Sequence, residues 1–283
     1  MTLPPPEDRS ALLRGLRFHY REWPSPGKPP LVLLHGFTSH ARSWDTFARA
    51  VQPGFHVYAL DQRGHGETDW AEDYSPEAMV EDVHAFVGCL GLRRFALLGL
   101  SMGGRNAYLY AARYPAEVER LVIVDIGPEI HGAGATRIQT GVQAPDVFAT
   151  PEEAVERALR ANPNADPAEA RHRTLANLLR LEDGTWTFRY DRSYRDGSRT
   201  IARPDVEASW RELARIQAPT LLVRGERSDV LAPEVAARMV ATIPNCRLVT
   251  VPEAGHSIPL ERPFGFIAAV VPFLAERVPS GAG

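Results

Sequence analysis

Lysine is almost missing from this sequence of 283 residues: 31 of its 32 basic side chains are arginine, and the one lysine is Lys28. A Schiff-base enzyme needs a buried lysine at its site, but Lys28 sits in the turn-forming run Pro26-Gly27-Lys28-Pro29-Pro30. A phosphate-cradling loop needs Gly-Lys followed by Ser or Thr, and here Pro29 follows. Both facts argue against pyridoxal enzymes, lysine aldolases and P-loop nucleotidases. Cysteine is scarce too. Cys89 and Cys246 are too few for a disulfide framework or a four-Cys zinc site, and each is expected to be a small buried hydrophobe.

Long apolar runs are also missing. The most apolar stretch, Phe264 to Leu274, is 11 residues and contains Pro272, well short of the ~18 a membrane helix needs. Met1 to Asp8 lacks the basic and apolar regions of a signal peptide, so a cytoplasmic chain without membrane contact is expected. The net charge of -3 gives no reason to expect nucleic acid as partner. No HExxH-like or Cys/His cluster and no G-x-G-x-x-G turn after the first strand is found, so neither metal nor organic cofactor is expected.

What the sequence does have is a rhythm. Short apolar runs end in Gly, Asp or a loop: Leu31–Leu34, Val57–Leu60, Phe95–Leu98, Leu121–Val124, Thr220–Val223 and Arg247–Val251. Continuous apolar runs suit strands buried on both faces of a parallel sheet. Leu16–Trp23 alternates more and suits an antiparallel edge strand. Helical stretches lie between, as in Ser75-Pro76-Glu77, an N-cap with Pro in the first turn, followed by apolar residues at helical spacing. Met102–Tyr114, Pro233–Ile243 and Pro263–Val278 read likewise. The alternation predicts a doubly wound α/β sheet. Only the connection from 126 to 218 breaks it. Its helix-like segments (Pro151–Asn162, Pro167–Leu181, Val206–Ile216) predict an inserted subdomain.

Gly99-Leu100-Ser101-Met102-Gly103 follows the third buried run and opens a helix. That is the setting of a nucleophile elbow, where a strained strand-to-helix turn holds the serine hydroxyl clear of the backbone. A serine nucleophile needs a base, and the base needs an orienting acid. His256, in the loop Gly255-His256-Ser257 after the last strand, is the expected base. Asp229, in the loop after the preceding strand, is the expected acid, which gives the chain order Ser, Asp, His. Asp125 at the end of the fourth run is the competing acid, and Glu226 is expected to line the loop or face solvent. The backbone N–H groups of Phe37 and Met102 are the expected oxyanion donors. His35 and the turn Asp61–Gly66 are expected to be structural, the turn held by an Asp–Arg pair.

Taken together, His35-Gly36-Phe37, Asp61–Gly66, Gly99–Gly104, Asp229 and Gly255-His256 resemble the α/β-hydrolase superfamily, in its branch of small capped serine esterases and lactonases. The resemblance implies an eight-stranded, mostly parallel sheet flanked by helices, with a helical cap inserted after strand six. Here that means a core of 1–126 and 219–283 and a cap of 127–218. Related dehalogenases and epoxide hydrolases carry Asp at the nucleophile position, where this chain has Ser101.

The expected activity is hydrolysis of carboxylic esters of small to medium size through an acyl-enzyme, with a small-molecule ester as partner. Lactonase, C–C bond hydrolase and perhydrolase chemistry are alternatives on the same three residues, and a non-catalytic receptor is a remote one. In the cap, Trp186, Phe188, Tyr190 and Tyr194 line a pocket or form the cap's own core. Arg189, Arg192, Arg195, Arg199 and Arg203 exceed the neighbouring Asp191 and Asp196. Any of them facing Ser101 would hold a substrate carboxylate bidentately.

Overall fold

The computed structural model describes residues 3–196, 198 and 205–276. In chain order the elements are β1 (Glu7–Leu13), β2 (Leu16–Trp23), β3 (Pro30–Leu34), α1 (Asp45–Val51), β4 (His56–Leu60), α2 (Pro76–Cys89), β5 (Phe95–Leu100), α3 (Met102–Arg113) and β6 (Val118–Val124). Then follow α4 (Gly132–Gln143), α5 (Pro151–Ala161), α6 (Pro167–Ala176), β7 (Leu178–Arg180), β8 (Trp186–Phe188), α7 (Val206–Leu213), β9 (Thr220–Gly225), α8 (Pro233–Thr242), β10 (Cys246–Val251), α9 (Ile258–Glu261) and α10 (Pro263–Ala275).

Eight strands form one sheet in the order β1-β2-β4-β3-β5-β6-β9-β10. From β4 to β10 the neighbours run parallel, and β1 and β2 form an antiparallel edge. The central strands are buried on both faces because their side chains alternate between two apolar layers. Val32 and Leu34 join Leu97, Leu121, Ile123 and Leu222 on one face. Leu31 and Leu33 join Ala96, Leu98, Val122 and Val223 on the other. Each such leucine contributes roughly 2 kcal/mol of burial, so polar substitutions have no solvent face to go to.

β3 lies between β4 and β5, so the chain turns one way after β3 and the other way after β5. The crevice where such connections diverge, at the carboxyl ends of the strands, is where open α/β sheets hold ligands.

Several elements were weakly marked in the sequence. β1 is mostly exposed and polar, and only its pairing with β2 makes it a strand. Three glycines dilute the helical signal of α4. Cys89, expected inside, is exposed at the end of α2. In the long insertion, α7 packs Trp210 and Leu213 into the same apolar layer as Tyr108 and Ala111 of α3. It therefore serves the sheet, while α5, β7 and β8 share a small core of Phe148, Ala154 and Leu178.

The turn Asp61–Gly66 is held in place, but not by a pairing of Asp61 with Arg63. Arg63 pairs with Asp82 instead. The buried Asp61 carboxylate accepts from Ala41 N–H at 2.5 Å, Glu67 N–H at 2.9 Å and His19 Nδ1 at 2.6 Å. Burial alone would raise the Asp61 carboxyl, but the hydrogen bond and opposite charge of His19 bring it down to about 2, from an ordinary 3.8. A depressed carboxylate stabilises the fold above its unfolded value and loses that stabilisation as the pH falls through the folded value. Asp61→Asn is therefore expected to cost about 3 kcal/mol at pH 7, since it leaves a buried charge network incomplete. Urea unfolding of the two proteins should show that gap narrowing as the pH is lowered from 4 towards 2.

Candidate active site

Ser101 ends the β5-to-α3 turn with φ 54° and ψ -117°, a conformation that L-residues avoid. The turn is this tight because α3 starts against β3. A Cβ on Gly103 would run into the Leu34 and His35 carbonyls, and one on Gly99 into the Gly103 carbonyl. Thr38, Asp125 and Glu253 also have positive φ. Together with Ser101, these strained residues gather on the loops around one crevice, as strain does at functional sites.

His256 comes to Ser101 from the loop after β10. Its Nε2 lies 3.0 Å from Ser101 Oγ, and its Nδ1 lies 2.8 Å from Asp125 Oδ2. A carboxylate at Nδ1 fixes the tautomer: Nδ1 carries the proton and donates to Asp125, so Nε2 is free to accept from the serine hydroxyl. Asp125 is fully buried, and its Oδ1 accepts from Gly225 N–H at 2.9 Å. Such an array can draw the proton from a hydroxyl and steady the imidazolium that results.

The structure brings Ser101 and His256 together but not Asp229, which corrects the expected acid. Asp229 accepts from Arg137 of α4 through Nε at 2.6 Å and Nη2 at 2.8 Å. The Arg137 hydrogen bond keeps its carboxyl below the ordinary value even against the opposing effect of burial. Asp125, the competing acid, occupies the place beside the imidazole. Glu226 is exposed and accepts from Glu253 N–H.

The loop after β3 passes over the nucleophile. A Cβ on Gly36 would stand 3.5 Å from Ser101 Cβ, and the next residue, Phe37, packs against the cluster that contains Met102. Met102 is the first residue of α3, where the helix offers its N–H no partner. His35 sits behind this loop. Burial and the neighbouring His65 push its imidazole down to about 3, so it is neutral. It donates from Nδ1 to Gly36 O at 2.8 Å and accepts Gln62 N–H on Nε2 at 3.0 Å. Gln62 in turn binds Asn106 of α3 at 2.7 Å. This polar tie between β3, β4 and α3 had only the buried glutamine and asparagine as its sequence signal.

Two parts of the insertion reach the crevice. Val142 of α4 and Tyr194 pack with Met102, Tyr74 and Met79, and Tyr194 meets Phe37 edge to face at 4.8 Å. The insertion's aromatics are thus divided. Trp186 and Phe188 pack with the small core of α5 and the β7–β8 hairpin, while Tyr194 faces the serine's surroundings. Of the five arginines expected as carboxylate holders, Arg189 and Arg195 are engaged elsewhere. Arg195 pairs with Asp146 and stacks on Tyr190 at 4.1 Å, and Arg189 donates to Leu178 O. Arg192 is exposed, and Arg199 and Arg203 lie outside the described residues. A cleft of about 630 Å³ lined by Arg14, Arg63, Trp70, Asp73 and Asp191 contains neither Ser101 nor His256.

A parallel sheet that gathers Ser101, His256 and Asp125 on its strand ends defines a class, and the match to a family model is direct. The model of the alpha/beta hydrolase fold covers residues 29–263, and the chain belongs to that family. Among curated relatives, a 3-hydroxybutyrate-oligomer hydrolase of Cupriavidus necator is 30% identical over 255 residues, which is 85% of this chain and 87% of that protein. An esterase of Mycobacterium tuberculosis is 30% identical over 251 residues, covering 86% and 81%. The crystal structure of an E-2-(acetamidomethylene)succinate hydrolase superposes with a TM-score of 0.86 over 96% of this chain and 100% of that one, at 22% identity. The relatives support hydrolase activity in general, on small-molecule substrates. No helix among the described residues is long and apolar enough to cross a membrane.

Proposed function

We propose that this protein hydrolyses carboxylic esters of small to medium size through Ser101, His256 and Asp125. The observation that carries the reading is the unbroken hydrogen-bonded line from Ser101 Oγ to His256 to the fully buried Asp125. Ser101 attacks the ester carbonyl while His256 Nε2 takes its proton. Asp125 holds the tautomer and stabilises the imidazolium. The N–H groups of Phe37 and Met102 receive the oxyanion, each worth roughly 3–4 kcal/mol where such donors have been removed. His256 returns the proton to the departing alcohol, then activates the water that releases the acid.

The part of the 127–218 segment that precedes α7 acts as a cap. Its Val142 and Tyr194, with Tyr74 and Met79, make the acyl surroundings apolar and close-packed, which favours short acyl chains. Two curated relatives, the 3-hydroxybutyrate-oligomer hydrolase and the esterase, carry names consistent with ester chemistry.

A fluorophosphonate probe should label Ser101, the labelling should slow while a saturating ester substrate competes for the site, and Ser101→Ala should take no label. In a panel of p-nitrophenyl esters, acetate and butyrate should be turned over faster than palmitate, with simple lactones run alongside. No labelling and no turnover would place the chain with receptors that keep the fold without the chemistry. Lactones turned over well ahead of all open esters would make it a lactonase.

A further inference from the structure

Asp125 is held by more than His256. Of the three donors on its carboxylate, two come from the end of β9 and the loop that follows it. Gly225 N–H binds Oδ1 at 2.9 Å, and the Ser228 hydroxyl binds Oδ2 at 2.5 Å. Oδ2 is the oxygen that also takes the His256 Nδ1 proton. The Ser228 oxygen itself accepts from Val230 N–H at 3.2 Å and Leu231 N–H at 3.1 Å. Its lone pairs are thereby occupied, and its one proton has a single direction left, towards Asp125. A hydroxyl fixed in this way polarises along the chain and binds the carboxylate more firmly than a free rotor would.

The same short loop is braced from the cap. His131 N–H donates to Val230 O and Gly134 N–H to Asp229 O, both at 3.0 Å, and Arg137 grips the Asp229 side chain. Ser228 therefore sits where the loop tied to α4 meets the carboxylate that orients the imidazole.

We infer that Ser228 is a positioning residue for the reaction, setting the orientation of Asp125 and, through it, that of the His256 imidazole. The inference rests on the ester-hydrolase reading above. Other charged groups around His256 are Asp229 after β9, Arg137 of α4 and Glu261 of α9. Glu261 is engaged by Gly255 N–H and Ser257 N–H, and Asp229 and Arg137 are engaged with each other. None of them donates to Asp125. Loss of the Ser228 hydroxyl leaves more negative charge undispersed on Oδ2. That charge favours the imidazolium over the neutral ring.

The test uses the full chain with Ser228→Ala, Ser228→Val and Ser228→Thr, the last two nearly equal in volume and differing in the hydroxyl. Expected for Ala and Val is a fall in kcat of about tenfold with KM little changed, the scale of one hydrogen bond to a charged group. The acid limb of the kcat/KM profile should move up by about half a pH unit, and Thr should restore both. If Ala does not fold, the Val and Thr pair gives the same reading. Wild-type rates and an unmoved pH limb in the hydroxyl-free variants would overturn the inference. So would a Thr variant as slow as Val, which would reduce Ser228 to loop packing. A wild-type protein that neither turns over esters nor takes the fluorophosphonate label fails at the earlier step and removes the ester-hydrolase reading itself.

Discussion

Asp125→Asn is expected to lower kcat on p-nitrophenyl butyrate by about 10⁴-fold, the loss seen when a triad carboxylate becomes an amide and the imidazole takes the wrong tautomer. Asp229→Asn, by contrast, should keep turnover within about threefold, because a half-exposed ion pair such as Asp229–Arg137 is worth at most ~1 kcal/mol. The contrast follows from position alone. Asp125 is fully buried, within 2.8 Å of His256 Nδ1, whereas Asp229 is turned to Arg137 of α4. Steady-state kinetics on the two variants, with circular dichroism to confirm folding, decides it. A dead Asp229 variant beside an active Asp125 variant would reverse the assignment.

Ser101→Gly should separate activity from stability. Loss of the nucleophile removes a hydroxyl on which every chemical step depends, and knock-outs of this kind cost about 10⁶-fold in kcat. The fold should gain instead. At φ 54° and ψ -117° a serine carries roughly 1–3 kcal/mol of backbone strain, which glycine does not feel. Glycine's larger unfolded-state freedom takes back about 0.4–1 kcal/mol. A net gain of about 1 kcal/mol, read as a Tm raised by roughly 2–4 °C, is the expected result. A Tm below wild type would mean that the turn is not strained, and the elbow argument would lose its physical basis. Ser101→Ala, which keeps Cβ and the strain, serves as the control and should show the loss of activity without the gain.

Much of this architecture was legible in the residues. Leu31–Leu34, Leu121–Val124 and Thr220–Val223 read as doubly buried strands because both faces of each need apolar side chains, and helices cover both faces of the sheet. Ser75 caps α2 by accepting Ala78 N–H, as the Ser-Pro-Glu run implied. Illegible were the elements that exist only through their partners. β1 lacks an apolar face and is a strand because β2 pairs with it. α7 reads like the other helices of the insertion, and only its packing against α3 assigns it to the core.

The acid beside His256 was illegible for a geometric reason. β6 and β9 are neighbours in register, with Val124 opposite Val223, and adjacent strands lie only ~4.8 Å apart. Loops leaving both therefore reach the same imidazole, and each offers an aspartate. Spacing along the chain does not choose between them. The choice was made by groups far away in sequence: Gly225 N–H and Ser228 hold Asp125 inward, and Arg137, 92 residues before Asp229, pulls that side chain outward.

The sequence by itself thus determined the strand-and-helix rhythm, the tight turn at Ser101 and the loop that carries His256, because each depends on residue types within a few positions of one another. Tertiary structure alone decided which carboxylate orients the imidazole, which helices of the insertion serve the core, and which aromatics face the serine. Those outcomes depend on contacts between distant segments, where one hydrogen bond or one guanidinium settles what local sequence leaves balanced.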